Sequence, residues 1–382
     1  MISAFNLIRA IFWNDPIGTI DQDTYMMLKE HSVDTLAALL LSSLQMPDDL
    51  RKEWKNRIIQ QVVYNTRCNY LEDHLPITAP YVILKGTSAA QYYPHKEYRV
   101  MGDIDIITER KFFDKTAQEL VNDGYVIKKE LEREVGFVKD GIMVELHRYF
   151  ASLNDPKQAK YMDDLIIENI NPSHVLPDSI NGLVLLEHIN QHLEVGLGLR
   201  QIIDWMMFVD KCLPDEKWPE FQIYSRNIGL ESLAIVATKM CELYLGLPPR
   251  EWCSQADRKL CKQLMDYVVT CGNFGNTRSE NIGTGENFFY FGSTPRSFIG
   301  LLQERGLVNW GMAQKHTVLR PFAWLYQIIR YALKGFNRED APAELVKEYR
   351  AAKQRIAMFE ALGVRRSSKG LAVYRNGKYQ KR

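Results

Sequence analysis

The chain has 382 residues, of which 46% are apolar and 25% charged, the profile of a globular protein with room for two or three domains and not of a disordered one. A formal net charge of +1 gives no overall bias towards a polyanion. No apolar run approaches the roughly 20 residues that a membrane-crossing helix requires.

Residues 1–75 read as helices. Asp34 to Leu44 is Leu/Ala-rich, and Trp54 to Tyr70 carries apolar residues at helical spacing. The first residues, Met1 to Ile8, lack a basic stretch and a cleavage site, so no signal peptide is expected. From residue 76 the pattern changes. Tyr81–Leu84 is a short apolar strand, and Ser88–Tyr93 suits a helix stopped by Pro94. Val100–Thr108 reads as a strand and Phe112–Asp123 as an amphipathic helix ended by Gly124. Tyr125–Lys128 and Glu134–Lys139 are strands, and Asp140-Gly141 is a hairpin signal leading into a strand over Ile142–Arg148. From Ser179 the periodicity is helical again, clearest over Asn181–Leu193, Leu199–Cys212, Glu231–Leu245 and Asp257–Thr270. Residues 272–298 form a long irregular segment rich in Gly, Asn, Ser and Thr, expected to be either functional or mobile, and Pro321–Leu333 and Glu344–Leu362 are late helices.

The expected fold class is α+β: a small mixed β-sheet domain flanked by N-terminal helices and a larger C-terminal helical region. The expected boundaries are 1–75 for the N-terminal helices, 76–178 for the α/β block, 179–364 for the helical domain and 365–382 for a basic tail. After Glu360 there is no acid, while seven Lys and Arg follow. The tail reads as a solvated, frayed end; a phosphate or nucleic-acid contact is the sharper alternative. The cysteines (Cys68, Cys212, Cys241, Cys253, Cys261, Cys271) form no C-x-x-C pair and sit in apolar surroundings, as free thiols in a reduced, cytoplasmic compartment do.

The chemistry concentrates in Gly102-Asp103-Ile104-Asp105-Ile106. On a strand, Asp103 and Asp105 point to one face while Ile104 and Ile106 anchor the other. Two like charges side by side need compensation, most naturally a hard cation with oxygen ligands. A third acid, Glu145, stands in a similar strand, two residues before His147. Gly86-Thr87-Ser88 lies where strand meets helix, where a Gly admits a phosphate to the backbone and free N–H groups point outward; Ser88 is equally an N-cap. Lys85 and Arg99 read as phosphate contacts or as surface charges. His188 and His192 are four apart on one helix face, but Ile189 stands where a zinc protease requires Glu. With Arg200 and Asp204 they read as a polar cluster facing a cleft or as a buried network joining two helices. His147 shares the strand face of Glu145 and either touches phosphate or orders that acid.

The order of strand, Gly-Thr-Ser, helix, Asp-x-Asp and a later strand acid resembles the polymerase-beta-like nucleotidyltransferases. Leu84-Lys85-Gly86, Tyr92-Tyr93-Pro94, Arg99-x-x-Gly102-Asp103-x-Asp105 and Glu145-Leu146-His147 resemble the bacterial "uncharacterised nucleotidyltransferase" family within them, over about residues 80–210. The spacing from Gly86 to Asp103 is longer than in compact members. The resemblance implies that Asp103, Asp105 and Glu145 are catalytic and carry Mg²⁺ or Mn²⁺, and that Gly86 with Thr87 or Ser88, beside Lys85 and Arg99, binds the nucleotide. His147, His188, His192, Arg200 and Asp204 would meet substrate. The expected reaction moves an NMP from an NTP to a hydroxyl or phosphate acceptor with release of pyrophosphate, the acceptor a small molecule before a nucleic acid and away from any membrane. The alternatives are a catalytically silent nucleotide-binding module of the same fold, a phosphotransferase, and a helical scaffold that works through its basic tail.

Overall fold

The computed structural model describes residues 2–272, 295–335, 341–364, 372–375 and 378–381. The chain divides into one unit of residues 1–277 with 362–382, and a second of residues 278–361.

In the first unit, α1 (Ile2–Trp13), α2 (Gln22–Glu30) and the long α3 (Asp48–Asp73) precede the sheet. The expected helix over Asp34–Leu44 is a 3-10 segment over Asp34–Leu39. The sheet strands are β1 (Tyr81–Leu84), β2 (Ile104–Thr108), β3 (Val126–Glu130), β4 (Glu134–Lys139) and β5 (Ile142–His147). Their order is β1-β2-β5-β4-β3, with β2 and β5 parallel and the other pairs antiparallel, so the sheet is mixed as expected. The short α4 (Gly86–Ala90) and the amphipathic α5 (Phe113–Asn122) lie between strands. Asp140 and Gly141 both take positive φ (52° and 78°), the mirror-image turn that matches the twist of a two-residue hairpin.

Strand alternation splits the sheet chemically. Ile83, Ile104, Ile106, Val144, Leu146, Val135 and Phe137 face a core closed by Phe113 and Leu120 of α5 and by Cys68 and Leu71 of α3. The opposite face carries Asp105, Glu145, His147 and Glu134, brought side by side by the register Asp105↔Glu145, Ile107↔His147 and Glu134↔His147. One sheet thus holds an apolar anchor and a charged platform, one residue out of phase.

Helices α6 (Pro156–Glu168), α7 (Asp178–Val195), α8 (Leu199–Cys212), α9 (Trp218–Asn227), α10 (Glu231–Leu245) and α11 (Arg258–Cys271) complete this unit. The sequence reading missed α6 and α9, although Asp155 caps α6 by accepting from Lys157 N (2.7 Å) with Pro156 beside it, a legible start signal. Gly182 of α7 meets Phe208 of α8: a Cβ there would stand 2.2 Å from the ring, so only hydrogen fits. All six cysteines are free. Among the described residues no helix is long and apolar enough to cross a membrane.

The second unit contains α12 (Pro295–Asn309), α13 (Gly311–Lys315), α14 (Ala323–Gly335) and α15 (Ala341–Ala361). The late helices expected over Pro321–Leu333 and Glu344–Leu362 are α14 and α15 with shifted ends; α12 and α13 were not foreseen. Gly306 of α12 lies against the backbone of Ala323, and Trp310 stacks on Tyr326 at 4.9 Å. Most of the irregular 272–298 segment lies outside the described residues. In the tail, β6 (Ala372–Arg375) and β7 (Lys378–Lys381) pair as an antiparallel hairpin. This corrects the expectation of a frayed end. Tyr374 and Tyr379 give the hairpin an aromatic face, with Arg110 stacked 4.1 Å from the centre of the Tyr374 ring and donating to Tyr379 Oη at 2.8 Å.

Candidate active site

Asp105 and Glu145 face one another across the parallel β2–β5 pair. His147, two residues along β5, donates from Nε2 to Asp105 Oδ1 at 2.8 Å and holds Nδ1 3.3 Å from Glu134 Oε2. Lys85 reaches the same Asp105 Oδ1 with its ammonium at 2.7 Å. Lys129 of β3 bridges Glu134 Oε1 at 2.5 Å and Glu145 Oε1 at 3.1 Å. The result is an alternating run of basic and acidic groups from Lys85, just past the end of β1, across the other four strands: Lys85, Asp105, His147, Glu134, Lys129, Glu145.

Local backbone explains two of these placements. Gly136 stands in register with both Glu145 and Lys129, and a Cβ there would come within 3.2 Å of Lys129 Cβ. The missing side chain and a register shift between Ile127 and Lys129 let the lysine lie across β4 towards Glu145. Lys85 adopts φ 53°, ψ −136°, a conformation that favours glycine, and this aims its side chain back over Asp105.

Electrostatics separate the acids. Burial alone would raise the Asp105 carboxyl, but the Lys85 ammonium and His147 outweigh it and hold it well below the usual carboxylate range. Burial would also raise Glu134, yet His147, Arg133 and Lys129 bring it down to about 2. Asp103 is pushed up, first by the charge of Asp105 and then by burial. Glu145 is pushed up by burial and by Asp105.

The strand expected over Val100–Thr108 begins only at Ile104, so Asp103 lies in the preceding segment and not on the strand. Side chains of α3 take the place of a ladder there. Asn65 donates to the carbonyls of Glu97 and Arg99 and accepts from Met101 N, Gln61 donates to Met101 O, and Tyr64 donates to Gly102 O. Asp103 still lines the cavity with Asp105 and Glu145.

The remaining expected residues divide in two. Lys85, Gly86, Arg99, His188, His192 and Arg200 line a cavity of about 220 Å³ beside the acids. Thr87, Ser88, His147 and Asp204 do not. The expected helix over Ser88–Tyr93 is the five-residue α4, whose hydroxyls are turned elsewhere: Thr87 donates to Glu72 (2.7 Å) and Ser88 to Asn181 of α7 (2.6 Å). Arg99 is clamped by two 2.6 Å bonds to Asp204, which also accepts from Tyr93 Oη at 2.8 Å. That arrangement is the buried network joining elements, the second of the two readings open for Asp204. Arg200 lines the cavity; it donates to Val100 O at 3.4 Å, and among the described residues its buried Nε has no hydrogen-bond partner. His188 and His192 pack edge to face at 4.6 Å. Burial and the nearby cations press both towards the neutral form, His192 down to about 3.

Lys129, Arg133, Glu134 and Gln191 also line the cavity and were not foreseen. Strand alternation could have found Glu134, which shares a β4 face with Gly136. Lys129 depends on the bulge, which leaves no mark in the sequence.

A family model described as uncharacterised nucleotidyltransferase matches residues 20–246, from just ahead of α2 to just beyond α10. The chain belongs to this nucleotidyltransferase family. Neither the curated proteins nor the solved structures give a match. Family membership supports nucleotidyl transfer as the general chemistry, and nucleotidyltransferases typically use divalent metals. The donor set fits such an ion. Asp105 and Glu145 offer oxygens within 4.8 Å of one another, Asp103 lines the same cavity, and the Asp103 carboxyl is raised first by the charge of Asp105, which a cation between them would relieve.

Proposed function

We propose that the protein is a Mg²⁺-dependent nucleotidyltransferase that moves an NMP from an NTP to a hydroxyl or phosphate acceptor, with a small molecule as acceptor. The observation that carries this reading is the pairing of Asp105 with Glu145 on neighbouring strands, with Asp103 beside them, at the floor of a cation-lined cavity. Asp103, Asp105 and Glu145 would hold the metal, which when bound supplies Lewis-acid stabilisation of the phosphates and acidifies the acceptor oxygen.

The chain's own groups have separable tasks. Gly86 lets the backbone approach the triphosphate, and Arg200, which makes no carboxylate ion pair among the described residues, offers a planar cation to its outer phosphates. His188 and His192, held neutral, offer hydrogen bonds without adding charge. Glu145, beside the metal on β5, would help take the acceptor proton as the acceptor oxygen bonds to the α-phosphorus. The bond from the α-phosphorus to the bridging oxygen breaks, and pyrophosphate leaves with those electrons. A formal net charge of +1 favours a small acceptor over a long nucleic acid. Six free thiols support a reduced, cytoplasmic setting.

The test is incubation of the full chain with α-³²P-labelled ATP, GTP, CTP or UTP, Mg²⁺ or Mn²⁺, and fractionated cell extract. Label transfer with pyrophosphate release, abolished in Asp105→Asn, is the expected result. Nucleoside diphosphate as product would instead select a phosphotransferase. Tight triphosphate binding without turnover, surviving Asp103→Ala/Asp105→Ala, would select the silent module.

A further inference from the structure

Lys85 is the one residue of the platform held in a backbone conformation that its side chain disfavours. Its φ of 53° with ψ −136° suits glycine, and Gly86 follows at φ 33°. A non-glycine residue persists there when its side chain is needed in place. What the strain secures is the 2.7 Å contact between Lys85 Nζ and Asp105 Oδ1, a pair almost wholly shielded from solvent.

Asp105 Oδ1 already accepts from both Lys85 and His147. A carboxylate oxygen has two lone-pair positions, so this oxygen is saturated. His147 donates to Asp105, has Nδ1 3.3 Å from Glu134 and is fully buried. Lys85 is different: it lines the cavity, and its side chain is 11% exposed against 0% for His147. A divalent ion on Asp105 beside a retained ammonium would set like charges within a few ångströms.

Resting on the nucleotidyltransferase reading, we propose that Lys85 is an exchangeable counter-cation. In the metal-free protein it fills the cation position on Asp105. On loading, its ammonium leaves the carboxylate for a phosphate of the triphosphate, so metal and nucleotide enter together and metal alone is held weakly. Arg200, across the same cavity, stays in place through the exchange.

The test reads Mn²⁺ binding to the full chain by the electron paramagnetic resonance signal of free Mn²⁺, with and without an α,β-methylene nucleoside triphosphate. Lys85→Gly suits the backbone and removes the cation, Lys85→Met removes it with the stem kept, and Lys85→Arg keeps the charge. Expected for Gly and Met is Mn²⁺ binding about tenfold tighter than wild type without nucleotide, and a much smaller gain on adding the analogue, because the like charge is gone. Lys85→Arg should behave as wild type. Mn²⁺ binding unchanged or weaker in both uncharged variants would overturn the exchange while leaving the nucleotidyltransferase reading intact. Failure of wild type to bind the analogue with Mn²⁺ would instead sink that reading, and the exchange with it.

Discussion

Arg99 and Asp204 are 105 residues apart in the chain, yet their side chains close a planar fork of two 2.6 Å bonds in the interior. Tyr93 Oη donates to the same carboxylate. The fork ties the segment that leads into β2 to α8, and so fixes the approach of Asp103 and Asp105 to the helical layer. Breaking one side of a buried pair strands a charge, so Asp204→Ala should cost about 3–5 kcal/mol. Arg99→Met/Asp204→Leu should recover most of that loss, because no ion remains to desolvate. Urea unfolding of the two variants and wild type checks this; an Asp204→Ala protein as stable as wild type would contradict it.

The two acids of the Asp-x-Asp motif should separate in stability while agreeing in activity. Asp105→Asn removes the partner of Lys85 and His147 and should cost about 1–3 kcal/mol. Asp103→Asn relieves repulsion from Asp105 and should be neutral or stabilising. Each should lower nucleotidyl transfer by about a thousandfold or more. Paired melting curves and label-transfer rates decide the matter. From the sequence the two carboxylates looked like simple mutual repulsion; the ammonium and imidazole on Asp105 change the sign for that residue.

Glu72 predicts a pH dependence away from Asp103, Asp105 and Glu145. Burial raises its carboxyl from the ordinary 4.5 to about 7, despite the hydrogen bond from Thr87. The folded protein therefore binds this proton more tightly than the unfolded chain. Its stabilising contribution is complete below pH 4.5 and is lost as pH rises towards 7. Glu72→Gln keeps an acceptor for Thr87 and should gain about 1–3 kcal/mol at alkaline pH, with no gain in acid. Calorimetric melting across the pH range reads the difference.

The tail hairpin should act as a brace. Tyr379 donates to Asp163, whose Oδ1 accepts from the N–H groups of Phe150 and Ala151 at 2.9 Å. Phe150 in turn lies 5.8 Å beneath Lys85 and edge-on to His147. Tyr379→Ala should cost about 1–2 kcal/mol through the lost hydrogen bond and the lost ring beside Arg110. Hydrogen exchange should quicken at Phe150 and Ala151; protection unchanged there would show that the hairpin does not support this loop.

How far the site could be foreseen depended on the range of the interaction. Glu145 and His147 were placed by strand alternation, and the Asp140-Gly141 turn by its left-handed residues, because both signals lie within a few neighbours. The start of β2 was misjudged by four residues because the backbone of 97–102 is satisfied by Gln61, Tyr64 and Asn65, far away in the sequence. Likewise Thr87 and Ser88 sit in a phosphate-like motif, but Glu72 and Asn181 claim their hydroxyls.

The sequence by itself determined the mixed sheet, most of its strands and the helical layer from α7 onward, and singled out Asp105 and Glu145 as same-face strand acids, because periodicity and turn chemistry are local. Tertiary structure alone decided which charges meet: Lys85 and His147 on Asp105, Lys129 across the gap at Gly136, and Arg99 turned inward to Asp204. Coulombic pairing and burial depend on separations in space, and those are fixed only once strand register and helix packing bring distant segments together.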